Sequence, residues 1–515
     1  MCQASETTPS RARDLRFERI SGIAVIFAAV VAAVALRWWI VVSPLGRIDS
    51  DEGIIGLITL AIRDGSRVYI SWGNSYGGTL GQAFAALGMQ LFGPSAETMK
   101  LAGVVLTFVS CVLLWRIARY FVDEPRARFA GALFLVYPAF DLWWSTKAGY
   151  YAAAVMLSLA VVLCALWTDA KAEFAQVRWF EVGALGFLTG LAFWTTPQCL
   201  LVIGPVLGWL AVRRYRLWRS AWPFVLGAIL GAAPWIRWNL ANDWSSLRAN
   251  SVPVVSTYGE RFRHFFSDAL PQSLGFRVPY ERSWILWGAG RVAYPAALVG
   301  LIAGVVYVLR DPGRRRRFAP VLAIFVVYPF LYALAKETWY FSSPRYLTQL
   351  APFVALLVAA MCATYVRQLV VLALAIVLAV ATLASLESVG ESGAYDMMGP
   401  KLTAVIEYLD EHDIHHVYAD YWISYALTFE TERNILASPV DFVREPKIDL
   451  LVAGATPSTY LVFAGGPRDS ALTATLTQMG VPFERVVIDG IALYLLDRNM
   501  RQYDFPPGFW STYGF

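Results

Sequence analysis

Apolar runs long enough to cross a bilayer, or nearly so, recur at about 20–42, 98–118, 128–140, 150–168, 181–196, 197–212, 221–238, 291–309, 319–335, 347–366 and 369–387. These runs restrict the fold more than any other feature of the chain. Roughly 20 apolar residues carry a helix across the hydrocarbon core, and inside lipid every backbone N–H and C=O must be bonded within the chain. The expectation is a polytopic α-helical membrane protein with about eleven spans. The run at 128–140 is the shortest. The stretch 181–212 is continuous apolar sequence broken at "TTPQ", where Pro197 predicts a tight turn between two antiparallel spans. Composition agrees. The chain is 57% hydrophobic and 16% charged, against roughly 25% charged in a soluble domain. A net charge of +5 gives no reason to expect a nucleic-acid partner. Cys111, Cys164, Cys199 and Cys362 fall inside apolar runs and Cys2 in the N-terminal tail, a pattern of small buried hydrophobes rather than a metal or disulfide framework.

Orientation follows from Lys and Arg in the short loops. Basic clusters occur at Arg11–Arg19, "RIARYFVDEPRAR" (116–128), Lys171 and Arg178, "RRYRLWR" (213–219), "RDPGRRRR" (310–317) and Arg367. Eleven spans and a cytoplasmic N-terminus put every cluster on the cytoplasmic side of a plasma (inner) membrane. Residues 1–19 are then a cytoplasmic tail. The run from Ile20 to Val42 is too long for a signal-peptide core and is expected to stay as the first span. Residues 20–387 form the membrane domain. The loops 43–97, 141–149, 239–290 and 336–346 lie outside, with the tail from about 388.

Two outer regions have structure of their own. "GIIGLITLAIRDG" (53–65) and "GTLGQAFAALGMQLFG" (78–93) are apolar and helical in period. The charge pattern leaves no room for both as spans, so amphipathic helices in the outer interface are expected; a pair of ordinary spans is the alternative. Residues 388–515 read as a small extracytoplasmic α/β domain. Helices are expected at 401–412 and 469–480, and strands at 416–420, 434–438, 459–465 and 484–497.

Charge is almost absent from the span interiors, where Arg37 is the exception. Ion-coupled transporters need intramembrane acids or bases, so that class is disfavoured. The polar groups concentrate outside. "RIDSDEGI" (47–54) packs Asp49, Asp51 and Glu52 into four residues at the end of the first span. A carboxylate there suits a general base for a hydroxyl, or the stabilisation of positive charge at an anomeric carbon. Asp49 and Asp51 also form a D-x-D, a spacing able to hold a divalent metal, although a solvated cap on the span explains it too. "KETWYFSSPRYLTQLAP" (336–352) supplies Lys336, Arg345 and Tyr346 at the outer edge of a span. The planar Arg345 fork suits phosphate oxygens, and with Trp339 and Tyr340 the group equally fits an interfacial anchor. Lys147, Arg282 and Tyr76 are further outer-side candidates. His412, His415 and His416 cluster without ligand-spaced partners, and His264 stands apart. The aromatic "DYWISYALTFETER" (420–433) suits either a sugar-facing lip or a packed helix.

The order of these features resembles the GT-C glycosyltransferases, in particular the protein O-mannosyltransferase-like and lipid A aminoarabinose transferase-like branch. The carrying stretches are "DSDEGIIGLITLAIRDGSRVY", "GGTLGQAFAALGMQLFGPSAETMKLAGVVLTFVSCVLLWRIARYF" and "PRYLTQLAPFVALLVAA", within residues 15–366. The resemblance implies a polyprenyl-phosphate-linked sugar donor and a protein, lipid or cell-envelope glycan acceptor. It implies a catalytic Asp at Asp51, with Glu52 beside it and Asp49 in support, and a donor-phosphate contact at Arg345. The sequence departs from the pattern at Ile54, where that family often has Arg, and at "SYGGTL" (75–80), where it often has Lys-Pro-Pro. Lys147, Lys336 and Arg345 are the replacement cations to examine. The expectation is an inverting transfer with Asp51 as base and no cofactor. A flippase of lipid-linked glycans and a non-catalytic scaffold are the rival classes.

Overall fold

The computed structural model describes residues 9–174, 176–216, 221–248, 256–391 and 398–512. Cys2 and the first eight residues of the expected tail lie outside the described residues, as do the side chains of the Arg11–Arg19 cluster and parts of the 239–290 loop and 388–515 segment. The chain divides into two compact units. One comprises Met1–Ile40, Gly103–Thr146 and Tyr151–Ser388; the other comprises Val41–Ala102, Lys147–Tyr150 and Val389–Phe515.

The first unit is helical. In the chain as a whole, Gly22–Val42, Ala96–Ala118, Tyr151–Ala172, Gly290–Leu309, Pro312–Leu334 and Tyr365–Gly390 are long and apolar enough to cross a membrane. Trp222–Gly231 and Ala233–Ala241, bent by 62°, make up to a seventh. The other four apolar runs are helical but shorter: Glu124–Phe134, Trp179–Thr195, Leu200–Arg213 and Ala351–Met361. The chain breaks at Thr196–Cys199, as the proline there predicts. It is a multi-pass membrane protein.

The second unit joins the 43–97 loop to the C-terminal segment. Helix α1 (Ser50–Arg63) starts because Asp49 caps it, and Asp51 and Glu52 place negative charge at the positive end of its dipole. Helix α2 spans Leu80–Phe92. The C-terminal segment adds β1 (His416–Ala419), α3 (Tyr421–Glu430), β2 (Leu436–Pro439), β3 (Thr459–Phe463), α4 (Pro467–Gln478), β4 (Phe483–Ile488) and β5 (Ile491–Leu496). The sheet order is β2-β1-β3-β5-β4. β1 pairs parallel with β2 and β3, and β5 pairs antiparallel with β3 and β4. The stretch expected as one strand over 484–497 is a hairpin. It turns at Asp489-Gly490, where both residues take positive φ (48° and 81°), as a two-residue Asp-Gly turn requires.

The two loop helices differ from each other, and one of them differs from expectation. α2 leaves Leu87, Leu91 and Phe92 exposed, which suits an interfacial helix. α1 does not lie with a free apolar face: Ile54, Leu57, Ile58 and Leu60 are buried in one core with Tyr425, Leu427 and Val405. Two glycines permit this. A Cβ on Gly53 would stand 2.4 Å from the Tyr425 carbonyl carbon, and one on Gly56 would stand 2.4 Å from the Phe429 ring. The backbones of α1 and α3 therefore meet directly, and the acid loop is held by the C-terminal segment.

Candidate active site

The three acids of the loop have different surroundings. Asp49 is 3% exposed. Its Oδ1 accepts the Glu52 N–H at 2.8 Å, and its Oδ2 accepts from Lys147 Nζ at 2.6 Å. Burial pushes the Asp49 carboxyl upward, against the pull of Lys147. Glu52, 2% exposed, accepts from Lys100 Nζ and from the Ala148 N–H at 2.7 Å each, with Lys147 Nζ at 3.8 Å. Asp51 alone keeps half of its side chain exposed. Its Oδ1 accepts from the Tyr421 hydroxyl at 2.6 Å and from Arg444 Nη1 at 2.8 Å. Among the described residues its Oδ2 accepts no hydrogen bond. Between Asp49 and Asp51, Ser50 Oγ accepts the Tyr425 N–H at 3.1 Å, tying the turn to α3.

The helix geometry explains this division. Successive residues in a helix point about 100° apart, so Asp51 and Glu52 at the start of α1 face different surroundings. Glu52 points into the unit toward two lysines, and Asp51 points out. The D-x-D pair is likewise split, each aspartate turned to its own partners. Among the described residues no group of three or more His, Cys, Asp or Glu side chains could hold a metal ion.

Lys147, expected as a substrate-binding cation, is 8% exposed and serves as a counter-ion to Asp49. Tyr76, in the same unit, is 38% exposed on the loop between α1 and α2. The sequence reading missed Lys100, which opens an apolar run and looks like the end of a span. It also missed Arg444 and Tyr421; Tyr421 fell within the aromatic stretch singled out above, while nothing local marks Arg444.

The other candidates belong to the first unit. Arg345 is partly buried, with its guanidinium carbon 5.5 Å from the Tyr340 ring centre and 5.8 Å from that of Tyr346. The backbone beneath it is fixed, since the Arg345 carbonyl accepts from Gln198 Nε2 at 3.1 Å and the Tyr346 carbonyl from the Tyr328 hydroxyl at 2.6 Å. Lys336 and Arg282 are exposed. His264 Nδ1 lies 2.5 Å from Asp268 Oδ2 and its ring stacks on Phe341, whereas His412 and His415 sit near the surface. A small cavity in this unit is lined by Thr107, Ser110, Asp141, Ser145, Tyr151 and Thr348 together with the apolar Phe134, Ala152 and Val155.

A profile of the dolichyl-phosphate-mannose-protein mannosyltransferase family matches residues 78–238. The undecaprenyl phosphate-alpha-4-amino-4-deoxy-L-arabinose arabinosyl transferase of Pseudomonas aeruginosa (strain UCBPP-PA14) is 28% identical over 265 residues, covering 48% of this chain and 43% of that protein. The protein of the same name from Edwardsiella ictaluri (strain 93-146) is 28% identical over 170 residues, covering 29% of this chain and 28% of that one. The chain thus spans less than half the length of the curated relatives it matches. Among solved structures, ArnT from Cupriavidus metallidurans in the apo state is similar with a TM-score of 0.50 at 14% identity, covering 93% of this chain and 99% of that chain. That likeness is one of fold.

Proposed function

We propose that this chain, a member of the GT-C glycosyltransferase family, moves a sugar from a polyprenyl-phosphate carrier to an acceptor hydroxyl at the outer face of the inner membrane. The observation that carries the reading is the division of the three acids. Asp49 and Glu52 are engaged by lysines, and Asp51 is the one left half exposed with an oxygen to spare. The acceptor oxygen bonds to the anomeric carbon as the bond from that carbon to the phosphate oxygen breaks. The acceptor proton goes to Asp51, and the leaving group is the polyprenyl phosphate. Attack opposite the phosphate inverts the anomeric centre. Asp49 and Glu52 act through the geometry of the loop rather than on the substrate. The step needs no cofactor.

Arg345, a planar fork carried on a hydrogen-bonded backbone, is proposed to take the carrier phosphate, whose charge grows as the bond breaks. The names of the relatives make a 4-amino-4-deoxy-pentose the first donor sugar to try, and the matching family makes mannose the second. The acceptor is a protein, a lipid or a cell-envelope glycan. Eleven helical crossings with a cytoplasmic N-terminus belong to the same proposal.

The test uses full-length protein in detergent. Undecaprenyl phosphate carrying 4-amino-4-deoxy-L-arabinose, or mannose, is supplied with a cell-envelope extract, and free undecaprenyl phosphate is measured. Asp51→Asn is expected to lower turnover by about 10²–10⁴-fold, the usual contribution of a positioned base, in protein that still folds. Turnover in that variant equal to the parent's would overturn Asp51 as the base.

A further inference from the structure

We infer that Arg444 and Tyr421 are positioning residues for Asp51: they fix Oδ1 so that Oδ2 is the oxygen that takes the acceptor's proton. The inference rests on the reading of Asp51 as the base and assigns the C-terminal segment a part in the reaction.

Three observations carry it. First, both donors meet the same carboxylate oxygen, and Arg444 Nη1 also donates to the Tyr421 hydroxyl oxygen at 3.0 Å. Two donors on one oxygen stop the carboxylate from turning about its terminal bond. Burial and the Asp51 charge push the Tyr421 hydroxyl far up, so it stays protonated and points its hydrogen at Asp51.

Second, the two donors are themselves held from several sides. Arg444 Nε donates to the Trp72 carbonyl at 2.9 Å, and the Arg444 N–H donates to the Tyr425 hydroxyl at 2.6 Å. Gly73 closes over the arginine stem. It takes φ +70°, and a Cβ there would stand 2.5 Å from Arg444 Cγ. The Tyr421 ring packs edge-on against Trp422 and Tyr425 and tilted against Phe442.

Third, the exposure runs the wrong way for a pair that only holds the fold together. The Arg444 side chain is 5% exposed and Tyr421 is 6% exposed, yet the carboxylate they hold is 50% exposed. A buried cation placed for stability alone would meet a buried anion, as Lys100 meets Glu52. Here the support is inside and the supported group faces out. A rigid shell behind a reacting group is what reaction geometry demands, because small misplacements cost large factors in rate.

The experiment compares Arg444→Ala, Arg444→Lys and Tyr421→Phe with Asp51→Asn, in the detergent assay with the undecaprenyl phosphate-linked aminoarabinose and mannose donors. It reads kcat, donor KM and thermal unfolding. Arg444→Ala is expected to lower kcat about 10–100-fold with donor KM within about twofold, as loss of orientation does. Tyr421→Phe should do the same to a smaller extent, and Arg444→Lys should recover part of kcat. Parent-like kcat in folded Arg444→Ala and Tyr421→Phe overturns the inference, as does a loss that appears in donor KM rather than in kcat. So does a loss of activity that only follows the loss of folded protein. If Arg444→Ala does not fold, Tyr421→Phe and Arg444→Lys decide by the same measures. An inactive Asp51→Asn beside parent-like Arg444 and Tyr421 variants overturns this inference alone, whereas an active Asp51→Asn overturns the base assignment beneath it.

Discussion

Each unit holds a deeply buried carboxyl group, Asp141 in the first and Glu52 in the second, and the two are neutralised differently. In the first, Asp141 sits on the six-residue helix Ala139–Trp144, too short to span a membrane, and is 7% exposed. Among the described residues its Oδ2 has no hydrogen-bond partner and no cation forms an ion pair with it. Burial alone pushes its carboxyl up to about 8, so a proton neutralises it at pH 7. In the second unit, Glu52 is as deeply buried but holds Lys100, Lys147 and a backbone N–H around it. A proton gives neutrality without direction. Lysines give neutrality with fixed distances. The arrangement with fixed distances is the one that adjoins Asp51, where geometry bears on the reaction.

The difference can be broken by removing one lysine. Lys100→Met leaves Glu52 without its nearest ammonium in a site 2% exposed. Breaking one partner of a buried pair costs about 3–5 kcal/mol, and urea or thermal unfolding in detergent should show a loss of that size. The double variant Glu52→Gln/Lys100→Met should regain most of it, since a neutral amide leaves no buried charge stranded. A loss below about 1 kcal/mol in the single variant would mean the pair does not hold the loop.

The next effect has the opposite sign. Asp141 has a folded-state value raised from its ordinary 3.8 to about 8. Its contribution to stability is therefore fully present below pH 4 and is lost as pH rises towards 8, at about 1.4 kcal/mol per pH unit. Asp141→Asn cannot ionise, so it should unfold with a flatter pH dependence over that window. Its gain over the parent should be about 1–2 kcal/mol near pH 5. Parallel curves for variant and parent would show that Asp141 is not held neutral by burial.

Much of this was legible in the sequence, and the failures share a cause. The acid cluster stood out because charge is scarce in an apolar chain. The helices followed from apolar runs and from the Pro197 break, and the strands from short β-branched and aromatic stretches. The partners of the acids did not follow. Glu52 and Lys100 are 48 residues apart, Asp51 and Tyr421 are 370 apart, and Asp51 and Arg444 are 393 apart. No local period links such positions. Lys147 was visible as an outer cation, but its use inside the protein depends on tertiary burial. α1 looked interfacial because its apolar face is real; only Gly53 and Gly56 hinted that another backbone would lie against it. The Asp489-Gly490 turn was readable and was overrun by the apolar residues on both sides.

The smallest expected effect tests whether burial or pairing sets these energies. Arg433 Nη1 lies 3.2 Å from Asp64 Oδ2, and both side chains are 41% exposed. Like Arg444 and Asp51, this pair ties the first outer loop to the C-terminal segment. Water screens it, and two long side chains lose freedom to form it, so such pairs contribute only about 0.2–1 kcal/mol. Arg433→Ala keeps the Cβ and the backbone conformation, and Asp64 retains Arg63 Nε at 3.0 Å. The loss should stay below about 1 kcal/mol and fade further in 1 M salt, where charges are screened over roughly 3 Å. The Lys100→Met loss should barely change with salt, because no ions reach that site. If Arg433→Ala cost as much as Lys100→Met, the two segments would be held by charge pairs wherever they lie, and burial would not distinguish the loop around Asp51 from the rest of the unit.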